Sequence, residues 1–368
     1  MVVVSNHGAI VGGGELSLID LLRGLDRDRW APVLVVPEDG EVAARGRDLE
    51  LPVRVIPLPS LRRPGPSSVR GVRALVGLAR ADDARVIHAN GSRAMAYAGV
   101  AGRLTARPAI WHVRVADRDG VLDRALCAVA TVVIATSRAV ARRFPQDSPK
   151  VRLVPNGVDL KRFAPRPASS TLRAALGVPP AAPVAVSIGR HVPEKGSRHL
   201  VNAAAALERA RPGVHWILVG DGELRRELEA RARWAGVESR VHFTGWRDDV
   251  PDVLALADVF VLPSESEGFG RVLVEAMAMG RAVVATAVGG VPDVVVAGET
   301  GLLVPPADPP ALAEAVRALL DDPARAARFG AAGRTRAESV FSLGAHVDGV
   351  ERVYDEVLGR AAPEARRR

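Results

Sequence analysis

The chain is 368 residues long, 48% hydrophobic and 25% charged, the composition of a folded globular protein with enough residues for two cores of ordinary size. Aromatic residues make up only 4%, so the net charge of +8 is not that of a nucleic-acid binder, which needs stacking platforms beside its cations. No apolar run approaches a bilayer span, and the opening MVVVSNHGAIVGGG lacks the basic region and long apolar stretch of a signal peptide; a cytoplasmic protein is expected, with peripheral contact at the inner face of the membrane left open.

From the amino terminus, VGGGELSLIDLL follows a short strand and opens a helix whose apolar stripe is Leu18, Leu21, Leu22 and Leu25. Gly12, Gly13 and Gly14 offer N–H groups to an anion or a close-fitting sugar. The dinucleotide fingerprint G-x-G-x-x-G fails because Ser17 stands at its third glycine, and no GK[ST] is present for a phosphate loop. Valine-rich runs at Val33 to Val36, Val53 to Ile56, Val86 to Ala89 and Thr131 to Thr136 alternate with helix-length segments, the rhythm of parallel sheet buried on both faces. Among them, LRRPGPSSVRGVR sets Arg62, Arg63, Arg70 and Arg73 on a Pro/Gly/Ser loop running into an amphipathic helix. This is either a solvated surface or a contact for an anionic membrane or acceptor, and it lies in the basic half: the balance is +9 up to Pro165 and −1 beyond it. His88 in VIHAN and His112 in IWHVR stand at strand ends; His112, beside Trp111 and Arg114, is the better site candidate. Cys127, the single cysteine, excludes a disulfide within the chain and reads as a buried thiol.

VPNGVDLKRFAPRPASS then breaks the periodicity and reads as a linker. The strand rhythm resumes at Val184 to Gly189, Trp216 to Gly220, Val241 to Gly245, Val259 to Pro263 and Ala282 to Thr286. Ligands of two doubly wound domains joined this way would bind at the carboxyl ends of the strands. One such end, SIGRHVPEKG, places Arg190 and Lys195 five apart, a fork and a point charge suited to a diphosphate. At two others, Gly220 of GDGE and Gly245 of TGW let the chain pass near a base or ribose. In PSESEGFGRVLVEAMAMG, Glu267 stands on a loop and Glu275 inside the helix that follows, with Gly268 and Gly270 where backbone can approach a ligand. A helix start carries unsatisfied N–H groups, so this turn is an anion site with a carboxylate on either side. A nucleotide sugar fits it: diphosphate at the helix start, ribose hydroxyls at one acid, sugar hydroxyls at the other. The D-x-D pairs, Asp26 with Asp28 and Asp117 with Asp119, lack a second ligand set, so no metal site is expected. After a breaker at Gly344, Val347, Val350, Val353, Tyr354 and Val357 form a final helical stripe.

Taken together these residues resemble family 4 of the retaining glycosyltransferases. Glu267 and Glu275 stand as its E-x7-E pair within PSESEGFGRVLVEAMAMGRAVVAT, followed by GGVPDVV and GETGLLVPP; the likeness runs over most of the chain and is most specific in the second half. It implies an α/β protein of two Rossmann-like, doubly wound parallel-sheet domains facing across a cleft, the GT-B fold. The acceptor-side domain would span residues 1–160 and the donor-binding domain 161–344, with a C-terminal helix at about 345–368 crossing back to complete the first. The resemblance further implies that Glu275 holds the donor ribose, and that Glu267, with the backbone of Gly268, Phe269 and Gly270, contacts the transferred sugar and the diphosphate. Arg190 and Lys195 match the basic pair on the diphosphate, Gly13 and Gly14 the amino-terminal glycine loop, Asn156 and Gly157 the PNGVD hinge, and His112 the histidine near the donor sugar. Trp-His-Val stands here in place of the commoner His-Asp form. Gly220 is expected at the donor, and Asn90, Trp111 and Arg114 at the acceptor.

The implied reaction moves a hexosyl group from a nucleoside-diphosphate sugar, with UDP or GDP expected, to a hydroxyl of a small-molecule, glycan or lipid-linked acceptor, without cofactor or metal. Departure of the diphosphate develops negative charge that fixed cations and a helix start stabilise. With Glu267 engaged on sugar hydroxyls, attack on the face of departure, the leaving phosphate taking the acceptor's proton, accounts for retention. A nucleotide-sugar epimerase would want more acids and histidines converging on the sugar, and a phosphorylase a pyridoxal-binding lysine, where Lys195 is the only lysine beyond Pro165. A non-catalytic nucleotide-sugar-binding protein would be favoured by loss of Arg190, Lys195 or Glu275, and all three are present.

Overall fold

A computed structural model describes residues 1–61 and 65–360; Arg62, Arg63 and the tail beyond 360 lie outside the described residues. The chain divides into two compact units, one formed by Met1–Gly157 with the segment from Leu343 onward, the other by Val158–Ser342.

The first unit holds a seven-stranded sheet in the order β3-β2-β1-β4-β5-β6-β7. Its strands are β1 (Val2–Ser5), β2 (Val33–Val36), β3 (Val53–Val55), β4 (Ile87–Asn90), β5 (Ala109–Val113), β6 (Val132–Ala135) and β7 (Val151–Leu153). The second unit holds a six-stranded sheet in the order β10-β9-β8-β11-β12-β13, from β8 (Val184–Ile188), β9 (His215–Val219), β10 (Val241–Gly245), β11 (Val259–Leu262), β12 (Ala282–Thr286) and β13 (Gly301–Val304). All ladders are parallel. Each sheet separates two apolar clusters: Val2 and Val4 enter one, Val3 the other, and Val184 and Val186 enter one, Ala185 the other. Successive strand side chains point to opposite faces, so burial on both sides explains why the strands read as unbroken apolar runs. In both sheets the winding reverses beside the first strand, between β1 and β4 and between β8 and β11. Doubly wound folds bind ligands at the carboxyl ends of the strands flanking that switch.

The first unit is completed by a segment that follows the second. Helix Leu343–Val357 buries Val347, Val350, Val353 and Tyr354 against helix Gly13–Gly24, approaching so closely that a Cβ on Gly24 would sit 2.6 Å from Val347. Arg29 ties the two ends together, donating to Glu351 at 2.8 Å and to Asp355 at 2.7 Å, while Trp30 meets Tyr354 edge-on at 5.0 Å. Gly344 does not break the helix as expected; it lies in its first turn, and the preceding helix Pro323–Val340 stops where Phe341 turns its ring into the core of the second unit. Arg70 and Arg73 are exposed on helix Pro66–Ala81, which buries Gly71, Leu75 and Ala79. Cys127 is half-buried against the core. Among the described residues, no helix is long and apolar enough to cross a membrane.

Candidate functional site

In the second unit the predicted residues gather at the β8/β11 switch. β8 runs into Gly189 and Arg190, and β9 into Gly220, whose backbone at φ +125° passes so close to the Gly189 carbonyl that any Cβ would overlap it. A one-turn 3-10 helix, Pro193–Lys195, follows Arg190. Its Glu194 carbonyl accepts from the N–H groups of Glu265 at 2.9 Å and Ser266 at 3.2 Å, pinning the turn to the loop after β11. That docking carries the Lys195 Nζ to 2.6 Å from a Glu267 carboxylate oxygen. The same oxygen accepts from the Ser264 hydroxyl at 3.0 Å. From the other side, the Glu267 carbonyl accepts from Gly290 N–H at 2.9 Å, and Gly289, at φ +50°, leaves no room for a Cβ beside that carbonyl. The Glu267 side chain is thus 9% exposed and held by Lys195 and Ser264, while its backbone is held by Gly290.

Helix Arg271–Ala278 begins directly after this loop, with Gly270 at its N-cap in the left-handed region (φ +82°) and no side-chain cap. Gly270 has no side chain to cap the first N–H groups, and a helix start of this kind suits an anion. Phe269 turns its ring away, edge-on to Phe341 at 5.6 Å in the core; only its backbone faces the turn. Glu275 lies one turn into the helix and accepts from Arg271 Nε at 2.7 Å, both side chains less than a tenth exposed. Arg190 is exposed and pairs with Glu194 at 3.1 Å, while Trp246, 54% exposed, follows Gly245 at the end of β10. Ser264 and Arg271 are additions to the expected set. Among the described residues, no group of three or more His, Cys, Asp or Glu side chains could hold a metal ion.

In the first unit a second set gathers beside the β1/β4 switch. Asn90, at the end of β4, donates to the Gly14 carbonyl at 3.3 Å and accepts from Arg114 Nε at 2.7 Å. Arg114 also donates to Asn156 and, at 3.4 Å, to His112 Nδ1; arginine has no acceptor, so this nitrogen is the lone-pair one. The expected glycine turn is partly satisfied from within: Glu15 reaches back to the Gly12 N–H at 3.2 Å, so a carboxylate of the chain already stands at that helix start. Two expectations are corrected. Trp111 has no exposed surface and packs edge-on to Phe144 at 5.4 Å, on the face opposite His112, so it does not line an acceptor site. His112 is also fully buried, edge-on to His88 at 5.3 Å and tilted against His346 at 5.8 Å. Burial, reinforced by Arg114, holds its pKa well below the usual histidine range. It touches the exposed part of the set through Arg114. His88, hydrogen-bonded to the Tyr354 hydroxyl at 2.9 Å, is pushed down to about 3 by burial.

Two all-parallel, doubly wound sheets with a cation pair, an uncapped helix start and two acids at one switch point define a GT-B protein of the glycosyltransferase class. Comparison with known proteins agrees: the description "Glycosyltransferase Family 4" matches residues 11–162 and "Glycosyl transferases group 1" residues 182–322. The chain belongs to the family 4 glycosyltransferases. It is 40% identical over 234 residues to the alpha-maltose-1-phosphate synthase of Mycobacterium tuberculosis, covering 58% of this chain and 60% of that protein. It is 37% identical over 220 residues to the GDP-mannose-dependent monoacylated alpha-(1-6)-phosphatidylinositol monomannoside mannosyltransferase of Corynebacterium glutamicum, covering 56% and 57%. These matches span about 60% of the length of the curated relatives. The crystal structure of Anabaena HepE with UDP and glucose superposes with a TM-score of 0.86 at 27% identity, covering 96% of this chain and 99% of HepE.

Proposed function

We propose that the protein is a retaining glycosyltransferase that moves a hexosyl group from a UDP- or GDP-sugar to an acceptor hydroxyl without a metal. The observation that carries this reading is the Lys195–Glu267 contact at 2.6 Å beside the uncapped start of helix Arg271–Ala278: cation, acid and helix start converge where a sugar diphosphate would be held. The UDP and glucose bound in HepE and the GDP-mannose in the name of the C. glutamicum relative support the donor class. In this reading Lys195, Arg190 and the helix start take the diphosphate, Glu267 and the Gly268–Gly270 backbone take the sugar, Glu275 takes the ribose, and Trp246 offers its indole face to the base.

The chemistry follows from where charge develops. As the bond from the anomeric carbon to the phosphate oxygen breaks, negative charge builds on the diphosphate, and fixed cations and N–H groups stabilise it without reorganising. The acceptor oxygen bonds to the anomeric carbon on the same face, and its proton passes to the departing phosphate oxygen. Configuration is retained with no carboxylate nucleophile, leaving Glu267 to hold sugar hydroxyls. In the first unit Asn90 and Arg114 face the acceptor, with His112 orienting Arg114 from behind, and the backbone of Gly13 and Gly14 is assigned to the donor. Exposed Arg70 and Arg73 suit an anionic acceptor or an anionic membrane surface.

Thermal shift with UDP, GDP and ADP, run on the native chain and on Glu275→Gln, tests this reading. A native-state ligand must stabilise by mass action. Stabilisation by one diphosphate that weakens in the variant, followed by sugar transfer from the matching donor with retained anomeric configuration, is the expected result. Failure of all three to bind, or trapping of a glycosyl–Glu267 bond, overturns it.

A further inference from the structure

Arg271 is the first residue of its helix, and local energetics argue against it there. A cation at a helix start opposes the macrodipole, and no acid stands in the first turn to offset it. Its partner, Glu275, lies four residues toward the C-terminus, the less favourable order for such a pair. Both side chains are less than a tenth exposed, and a buried ion pair is commonly no more stable than apolar residues of the same volume. Conflicts of this kind between local rules and the fold gather at functional positions.

We infer that Arg271 is a positioning residue for donor recognition: it fixes the Glu275 carboxylate in the orientation that accepts the ribose hydroxyls, and so sets the preference for ribonucleotide over deoxyribonucleotide donors. The inference rests on the ribose role proposed above for Glu275. A carboxylate offers only acceptors, and vicinal hydroxyls are matching donors. Buried at 7% exposure, that carboxylate needs a cation to stay in the site at all. The guanidinium, bound through Nε at 2.7 Å, supplies the charge from the side, along the helix, and fixes the plane of the acid. A site built this way discriminates steeply, because a ligand lacking its hydroxyls leaves a buried acceptor unpaired.

The test compares UDP and GDP, each beside its 2′,3′-dideoxy form, by calorimetry on the native chain, Arg271→Met, Arg271→Lys, Glu275→Gln and the double variant Arg271→Met with Glu275→Gln. The native chain should prefer the ribonucleotide by about 10- to 100-fold. Glu275→Gln should remove most of that preference. Arg271→Met should do the same while leaving dideoxy affinity unchanged, the double variant should lose nothing further, and Arg271→Lys should recover part of it. If Arg271→Met fails to fold, Arg271→Lys carries the test, since a flexible ammonium does not reproduce the direction of the Nε–H bond, and full preference in it overturns the inference. If Glu275→Gln loses the preference but Arg271→Met keeps it, Arg271 is structural only. Equal loss for ribo and dideoxy forms would instead place Arg271 on the diphosphate. Preference retained in Glu275→Gln refutes the ribose role of Glu275, and absence of binding by both diphosphates to the native chain refutes the donor reading; either takes the inference with it.

Discussion

Lys195 Nζ lies 2.6 Å from Glu267 Oε1, across a separation of 72 residues. The two groups pair as cation and anion, so a diphosphate bound as proposed would exchange one anionic partner of Lys195 for another. Lys195→Met should therefore lower the turnover rate at saturating donor by about 10²- to 10³-fold, the usual loss when one preorganised charge is removed from a developing anion. Glu267→Gln keeps the hydrogen-bond shape and should act mainly on sugar-dependent steps, leaving affinity for the nucleoside diphosphate within a few-fold, about 1 kcal/mol or less. Steady-state transfer alongside calorimetry with the diphosphate separates the two.

Glycines of the second unit differ in what they tolerate. Gly289 and Gly298 both have positive φ, +50° and +77°, but a Cβ on Gly289 overlaps the Glu267 carbonyl whereas Gly298 faces open space. Gly298→Ala should cost about 1–2 kcal/mol, the backbone strain alone. Gly289→Ala should cost more and displace Glu267, abolishing donor binding. Urea unfolding and nucleotide thermal shift on both variants check this; equal penalties and intact binding in both would contradict it.

Acid should weaken the fold through its histidines. Burial holds His88 at about 3 and His242 at about 4, and His112 well below the usual range. His215 accepts from Arg240 at 3.1 Å on Nε2, so its Nδ1 carries the proton and donates to His242 at 2.7 Å; both rings are neutral. A group whose folded pKa is depressed favours the fold fully above its unfolded value, here about 6.5. That contribution is lost as pH falls from there through the folded pKa, by ~1.4 kcal/mol per unit for each such histidine. The urea midpoint should hold between pH 7 and 8 and drop steeply from pH 6.5 toward 4, less so in His242→Gln.

Arg29 serves two acids buried to 8% and 2% exposure, Glu351 and Asp355. Arg29→Met leaves both without this partner, a loss of about 3–5 kcal/mol for a broken buried pair. The unfolding of the first unit should move to lower urea. Trp30, 5.0 Å from Tyr354, reports it through fluorescence; an unchanged midpoint would show that the helix is held by its apolar face alone.

The sheets were legible because burial on both faces writes each strand as an apolar run, and the meeting of the Lys195 and Glu267 loops because both follow strands that flank one switch point. The direction of side chains was harder to read. Trp111 and His112 are neighbours in β5, so the pleat must send them to opposite faces, and that alternation already separated one from any shared site. Gly344 misled because glycine breaks helices on average, whereas here it falls in a first turn. Arg271 stands four residues before Glu275, a spacing that is readable in the sequence, but its burial depends on packing that no local pattern carries. Ser264 and the recoil of Glu15 onto Gly12 are likewise products of loop geometry.

The helix Leu343–Val357 belongs to a unit that begins at Met1, and this bears on the order of events during synthesis. Residues 158–342 form a contiguous unit that has everything it needs once its last strand and helices emerge from the ribosome. The first unit, although made earlier, must wait with part of its core open: Leu18, Leu21 and Leu22 share a cluster with Val347, Val350 and Tyr354, which are made only after the second unit. The nascent amino-terminal half therefore exposes that apolar face until helix Leu343–Val357 has been made, and deletion of that helix would leave the face uncovered.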